Sequence, residues 1–496
     1  MSSSRKTKFF YALSFTEGGA VMATELIGAK ILAPYFGTSL YVWTCVMALT
    51  LGGLACGYFF GGRLSQKKNH EKILMTIVLL AAAYMCALPL FSPLFLFLAE
   101  ATSLIPSVLL SSAIVLLPPV FLMGMVSPLL IKSLTEKAEE SGKKAGEVYA
   151  ISTVGGILFC FLTGFYFIPD WGLDYSLFFV SALLAVFPCI YFIKSKNFAP
   201  VLVYALCATD ILFKANTKSN SVYISEGLLG KLEVRDDLYQ FSTNSKQEKC
   251  RLLLINNVIQ SAVSLKTGES RLEYTSLLKS NLDRINNKPE TSLLLGLGGG
   301  VLANELSNQN IKVTAVELDE RITEVAKNYF HLNPAIEIIQ DDARHALYKL
   351  NKKFDLVFLD LFHAETTPSH VMSLESFTKI KSLLSEKGMI VINTYGYLKD
   401  VTASGNLILL NTLQKAGFQY KICYAGDKTH EDFRNFEIFC SVKPITQNLL
   451  AQIEEKISNL TCTSVNTDIQ PLLEYANAKA AKRWRYAYLR NFIANR

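Results

Sequence analysis

Four stretches in the first 213 residues (40–62, 73–98, 104–131 and 148–169) each run more than eighteen residues without a single charged side chain. About 20 helical residues cross a hydrocarbon core, and only helices or closed barrels satisfy the backbone there. Stretches 9–31 and 172–193 are long enough but carry charges, and 198–213 is short and contains Asp210. The first part of the chain is therefore expected to be an all-α, polytopic membrane bundle of six or seven spans, covering 1–213. The apolar run near the N-terminus is too long for a cleaved signal peptide, and no small-residue cleavage site precedes the next span.

Charge is distributed to match. Residues 1–213 hold 14 Lys/Arg and 11 Asp/Glu, against 35 and 31 in 214–496. Across the chain 50% of residues are hydrophobic and 18% charged, where an ordinary globular chain carries about 25% charged residues. That composition excludes general disorder and a wholly soluble protein. Basic residues cluster at alternate connections: Arg5, Lys6 and Lys8; Arg63, Lys67, Lys68 and Lys72; Lys132, Lys137, Lys143 and Lys144; Lys194 and Lys196. The positive-inside rule places the N-terminus and the end of the sixth span in the cytoplasm. The remaining half is expected in the cytoplasm if 198–213 lies in the interface, and outside if it crosses. We take it as cytoplasmic, on a multi-pass protein of a bacterial-type inner membrane, because the nucleoside read below is cytosolic.

Glu17 and Glu25 lie two turns apart in the first span, where an ion is costly unless paired or solvated. They read as a cation or substrate site, or as structural groups. Gly52, Gly53, Gly57, Gly61 and Gly62 have the small-residue spacing of close helix packing. The net charge of +7 is shared almost equally between the halves, so nucleic acid is not an expected partner. Ten cysteines are scattered without CxxC or metal-ligand spacing, so neither zinc nor a disulfide framework is expected.

From Gly230 the pattern changes. Lys231–Arg235 reads as a strand, and 251–255, Asn256-Asn257 and 258–260 as a hairpin, since Asn tolerates the positive φ of a tight turn. This small β unit is placed at 214–268. A helical stretch at 271–285 opens an α/β domain, 269–496. Its apolar runs 292–295, 313–316, 336–339, 356–359 and 389–392 alternate with helix-length segments, which predicts a Rossmann-like parallel sheet with helices on both faces. In such sheets ligands bind beyond the carboxyl ends of strands.

The first strand leads into Gly296-Leu-Gly298-Gly299-Gly300, the second ends at Glu317-Leu-Asp319, the third at Asp341-Asp342-Ala-Arg344 and the fourth at Asp360. Glycines let a backbone approach a ligand, an acid about twenty residues on can accept two ribose hydroxyls, and a further acid can take an adenine amino group. Singly, Glu317 or Asp342 reads as well as a helix cap, and Asp360 as a solvated strand end. Together they suit the adenosine of S-adenosylmethionine or a relative better than NAD, whose pyrophosphate loop would be GxGxxG.

These residues resemble the spermidine synthases, the polyamine aminopropyltransferases, and more closely the membrane-fused members labelled fused transporter/spermidine synthase. The resemblance rests on Leu229-Gly-Lys-Leu-Glu-Val, Leu252-Leu-Leu-Ile-Asn-Asn-Val-Ile-Gln-Ser261, the glycine loop, Val316-Glu-Leu-Asp319, Asp341-Asp-Ala-Arg344 and Phe354-Asp-Leu-Val-Phe-Leu-Asp360. In the membrane half it rests on Leu32-Ala-Pro-Tyr-Phe-Gly37, Gly61-Gly-Arg-Leu64 and Met123-Gly-Met-Val-Ser-Pro128.

The resemblance implies an enzyme that moves an aminopropyl group from a decarboxylated or intact S-adenosylmethionine co-substrate to a polyamine or other small amine, without a metal. It implies that Gln260 touches the donor's aliphatic portion, Glu317 the ribose and Asp342 the adenine. Gly296, Gly298, Gly300 and Asp341 would frame the nucleoside, Tyr274 the acceptor site, and Asp360 the attacking amine. Expected partners are that amine and the lipid bilayer; a homodimer is left open.

Three departures bear on substrate. Gly298 stands where the family loop has an acid, His363 where it has a second catalytic-loop acid, and Tyr274-Thr-Ser276 replaces Tyr-His-Glu. Fewer carboxylates disfavour a dicationic acceptor such as putrescine and favour a donor that keeps its own carboxylate. His363 reads as a base or a bystander, and His370, Glu365 and Thr366 as parts of a lid. The basic, aromatic segment 479–490 reads as a lipid-facing or a packed terminal helix. Alternative functions are another transfer, elimination or cyclisation on S-adenosylmethionine, and a transporter or sensor with a nucleoside-binding domain.

Overall fold

A computed structural model describes residues 3–36, 40–91, 94–95, 97–98, 104–214, 221–227, 229–240, 247–285, 288–361, 368–396, 404–425, 434–446, 448–450, 463–473, 475–477 and 480. His363, Glu365, Thr366 and almost all of 479–490 lie outside them. Contacts divide the chain into two units, 1–219 with 225–230, and 220–224 with 231–496.

The first unit is helical: α1 Ser3–Phe36, α2 Leu40–Leu64, α3 His70–Ala87, α4 Leu104–Gly124, α5 Val126–Leu134, α6 Ser141–Leu162, α7 Gly172–Lys194 and α8 Ala199–Lys214. The stretches Val42–Leu64, His70–Phe91, Pro106–Leu134 and Ala138–Lys194 are long and apolar enough to cross a membrane. The last contains two of the expected spans. Helix α1 packs on α6 and α7, α2 on α4, and α3 on α4, α7 and α8.

Small residues set these approaches. A Cβ on Gly18 would stand 2.0 Å from the Ser152 carbonyl oxygen, and one on Gly155 2.0 Å from that of Phe15. Of the α2 glycines, Gly53, Gly57 and Gly61 abut α4 or the α4–α5 junction, whereas Gly52 and Gly62 meet nothing. Outward-facing Leu51, Phe59, Ile157, Phe161, Phe165, Leu202 and Leu206 leave an apolar exterior, which suits lipid rather than water as solvent.

Three expected spans are interrupted or change helix type before the apolar run ends. The 73–98 stretch leaves α-helix at Ala87 for a 3₁₀ turn, Leu88–Phe91, since Pro89 has no N–H to continue the ladder. The 104–131 stretch breaks between Gly124 and Val126. The 148–169 stretch widens into a π-helix, Thr163–Trp171, and stops at Gly172 with φ +79°. Helix α8 has 16 residues, about 24 Å of rise. It lies on the bundle, where its Tyr204 hydroxyl is 3.1 Å from Ser181 Oγ.

The second unit opens with a four-stranded sheet in chain order, β1 Ser221–Ser225, β2 Leu232–Tyr239, β3 Glu248–Ile255 and β4 Val258–Ser264. The expected Asn-Asn turn joins β3 to β4, with φ +49° at Asn256 and +64° at Asn257. Helix α9, Glu273–Leu282, follows. The second sheet then alternates with helices: β5 Thr291–Leu295, α10 Val301–Asn308, β6 Lys312–Glu317, α11 Glu320–Tyr329, β7 Glu337–Gln340, α12 Ala343–Lys349, β8 Phe354–Leu359, α13 Leu374–Leu383, β9 Leu384–Gly396, α14 Ser404–Lys415, β10 Gln419–Ala425 and β11 Arg434–Ser441.

The strand order is β10-β11-β9-β8-β5-β6-β7. The five expected strands are parallel to one another; β10 and β11, which the apolar runs did not mark, make the sheet mixed, because β11 runs antiparallel to both β9 and β10. Residues 426–433 are too few for a parallel crossover, which takes a dozen or more.

Alternation along the strands builds two cores. Leu293, Leu295, Val357 and Leu359 pack with Leu347, Phe377, Ile380 and Leu413 of α12–α14. On the opposite face Leu294, Phe358 and Val391 pack with Leu278 and Leu282 of α9 and Leu302 and Leu306 of α10. Strands β6 and β7 lie on one side of β5, β8 and β9 on the other. The order of strands thus reverses at β5, and in open sheets of this kind ligands bind beyond the carboxyl ends of the strands at such a point.

Candidate functional site

The strand registers align the chemistry. Leu295 pairs with Val316 and with Leu359, and Leu359 with Ile392. One residue further along, Glu317, Gly296, Asp360 and Asn393 form a row across β6, β5, β8 and β9. The row continues through paired Asn393 and Glu437 to Cys423, and on the other side to Gln340.

Gly296 has φ +91°, and a Cβ there would stand 2.3 Å from the Asp360 carbonyl oxygen. Only glycine permits the two strand ends to come this close. Gly298 and Gly300 also have positive φ, +54° and +71°. The loop is pinned from two sides: Leu297 N–H donates to Glu317 Oε2 at 3.0 Å, and Gly299 N–H to Ser261 Oγ at 2.9 Å.

Glu317 is 8% exposed, and its Oε1 accepts the Asp319 N–H at 2.9 Å. Burial raises its pKa, and the N–H groups of Asp319 and Leu297 partly offset this. A carboxylate offers about four lone-pair sites, so Glu317 keeps capacity to accept a hydroxyl. The cap of α11 is Asp319, which accepts the Arg321 N–H at 3.1 Å; Glu317 itself is not spent on a cap.

On the other side of Gly296, Asp360 Oδ2 accepts the Tyr274 hydroxyl at 3.0 Å and Oδ1 the Asn393 amide at 2.8 Å. Helix α9 delivers Tyr274 by packing Leu278 and Leu282 on the sheet. Burial raises the Asp360 pKa, opposed by the bonds from Asn393 and Tyr274. Burial, and then the Asp360 charge, push the Tyr274 phenol well above its usual value. The phenol therefore stays a donor and the carboxylate an acceptor. Hydrogen bonds to a charged group contribute roughly 1.5–3 kcal/mol each, which holds this acid in one orientation at the strand tip.

The structure does not gather every expected residue. Asp341 faces His345, whose Nδ1 is 2.7 Å away, and Lys349 at 3.5 Å; the His345 contact lowers its pKa. Asp342 caps α12 by accepting the His345 N–H at 3.0 Å, and its Oδ2 is 3.7 Å from His370 Nε2. Arg344 holds the 370–376 segment, donating to the His370 carbonyl at 2.6 Å and to Ser373 Oγ at 2.8 Å. The Gln260 amide turns to the Val258 carbonyl of its own strand, 3.4 Å away.

Ser261, Asn393 and Glu437 join the site without having been singled out. Asn393 follows an apolar run just as Glu317 and Asp360 do, and that signal was available. Glu437 is the lone acid within Asn435-Phe-Glu-Ile-Phe-Cys440, a strand the apolar runs did not reveal.

Comparison with known proteins follows this geometry. A methyltransferase domain model matches residues 293–388. The chain is 27% identical over 238 residues to a probable polyamine aminopropyl transferase of Bifidobacterium longum (strain NCC 2705), covering 46% of this chain and 50% of that protein. It is 33% identical over 121 residues to a polyamine aminopropyltransferase of Vibrio vulnificus (strain CMCP6), covering 23% and 40%. The chain thus spans half or less of the length of these relatives. Among solved structures it is similar to a probable spermidine synthase from Corynebacterium glutamicum ATCC 13032, with 19% identity and a TM-score of 0.37 over 46% of this chain and 81% of that one. Residues 293–388 are therefore similar to a methyltransferase domain, and part of the chain is similar in sequence to polyamine aminopropyltransferases.

Proposed function

We propose that the protein is a membrane-anchored, aminopropyltransferase-type enzyme that takes an adenosyl sulfonium donor, either S-adenosylmethionine or its decarboxylated form, and alkylates a small amine. The observation that carries this reading is the Tyr274–Asp360–Asn393 cluster, set one strand from the Gly296 loop and two from Glu317. A site that only held adenosine would not need a partly buried, doubly hydrogen-bonded acid at that place.

In this reading the ribose lies on Glu317 and the adenine near Asp342, with the loop from Gly296 to Gly300 against the nucleoside. The neutral amine attacks the methylene carbon bound to sulfur. A nitrogen–carbon bond forms as the carbon–sulfur bond breaks, and its electron pair leaves on sulfur as neutral methylthioadenosine. The nitrogen, now cationic, gives its proton to Asp360. Much of the acceleration comes from holding amine and carbon in line. A donor that keeps its carboxylate transfers an aminocarboxypropyl group by the same electron flow.

Mass spectrometry of the purified full chain with either donor and a panel of amines tests the reading. Methylthioadenosine together with an alkylated amine is expected. S-adenosylhomocysteine as product would make the protein a methyltransferase instead, an outcome the methyltransferase domain keeps in view. Tight nucleoside binding without either product would make it a sensor or transporter.

A further inference from the structure

Glu437 is used by nothing above. It is completely buried in the middle of β11, and neither carboxylate oxygen meets a hydrogen-bond partner. Asn393 Oδ1 beside it is likewise buried and unpartnered. Glu437 pairs in register with Asn393, whose amide nitrogen already holds Asp360. Helix α9, which brings Tyr274, packs on β10 and β11. The Glu437 carboxyl is held well above its usual range by burial and by repulsion from Asp360, and its charge also acts on Tyr274. The two acids therefore share one field.

A buried ionised carboxylate without a partner is expensive, and among the described residues no Lys, Arg or His pairs with this one. A cation brought in from outside would satisfy both Glu437 and the free Asn393 oxygen.

We propose that Glu437 is a specificity-determining residue of the acceptor pocket: with Asn393 Oδ1 it receives the distal ammonium of an acceptor whose attacking amine rests on Asp360. Asp360 and Glu437 stand in one row two strand spacings, about 10 Å, apart, a separation that suits a short α,ω-diamine lying across β9. This rests on the reading of Asp360 as the acceptor site. It supplies, from a strand outside the catalytic loop, one of the carboxylates whose loss at Gly298 and His363 spoke against a dication.

The test is calorimetric titration of α,ω-diamines of three to five carbons, and of n-alkylamines of equal length, into full-length protein in detergent saturated with methylthioadenosine. The wild type is expected to bind the best diamine about 10–100-fold more tightly than its monoamine counterpart, the range of a charged hydrogen-bonded contact. Glu437→Gln should collapse that ratio towards one. Glu437→Asp, which retains the charge but withdraws it by one methylene, should move the optimum to a diamine one carbon longer. No diamine preference in the wild type, or a preference surviving in a Glu437→Gln protein that melts normally, overturns the proposal while leaving the donor site standing. Failure of the wild type to bind methylthioadenosine overturns the parent reading as well.

Discussion

Asp360 has two requirements that its surroundings set against each other. It must be ionised to receive a proton, yet it lies where burial disfavours charge. The bonds from Tyr274 and Asn393 resolve the conflict by favouring the carboxylate. Asp360→Asn should lower turnover about 10²–10⁴-fold and leave methylthioadenosine affinity within several-fold; unchanged methylthioadenosine release in the mass-spectrometric assay would remove Asp360 from the mechanism. The pH behaviour follows from direction alone. For Asp360 and Glu437 the folded pKa is raised, so their contribution to stability is complete below the ordinary carboxylate range of about 4. It is lost as pH rises through the raised values. The melting temperature of Glu437→Gln relative to wild type should therefore rise as pH increases above about 4, because the variant lacks the group whose ionisation burial opposes. Turnover should rise over the same interval as Asp360 ionises; a turnover that falls there would contradict its role as base. Glu317, Gly296 and Asp360 were legible in the sequence because each follows an apolar run. Tyr274 was legible only through resemblance, and Glu437 not at all, since it sits inside a strand rather than at its tip.

Strands and turns carried stronger signals than the sheet's edge did. The Asn256-Asn257 hairpin formed where the residues pointed, with Asn256 Oδ1 also accepting the Lys231 N–H at 3.1 Å. The two asparagines should therefore respond oppositely. Asn257→Gly relieves a left-handed side chain and should stabilise by up to about 1 kcal/mol. Asn256→Ala loses the bond to Lys231 and should cost about 1 kcal/mol. Denaturant titration of both variants checks the pair, and equal effects would contradict the turn geometry. At the glycine loop, Gly296→Ala sets a Cβ against backbone, not against a side chain that can move. Strain of roughly 1–3 kcal/mol is expected, together with loss of methylthioadenosine binding in calorimetry. The reversal of β11 was illegible because hydrophobic runs encode burial but not direction. Direction came from the short 426–433 connection. In the helical unit, runs located the helices, but Pro89 and Gly172 decided where they stop.

At the scale of the whole molecule the chain joins an apolar helical bundle to a Rossmann-like α/β unit. The outward Leu51, Phe161 and Leu202 argue for lipid contact, so full-length protein should sediment with membranes and resist alkaline carbonate extraction; release by carbonate would count against insertion. The division into two units was legible from charge density alone. The side of the membrane and the amine were not, because neither leaves a local pattern in one sequence. Everything chemical depends on the strand-tip row holding an adenosyl group, and calorimetry of methylthioadenosine against full-length wild-type, Asp360→Asn and Glu317→Ala proteins tests this most directly. The account predicts saturable one-site binding to the first two with similar affinity, and a loss of more than about tenfold in Glu317→Ala, as removing hydrogen bonds to the ribose should give. Absence of binding to the wild type, or full affinity in a folded Glu317→Ala protein, would contradict it.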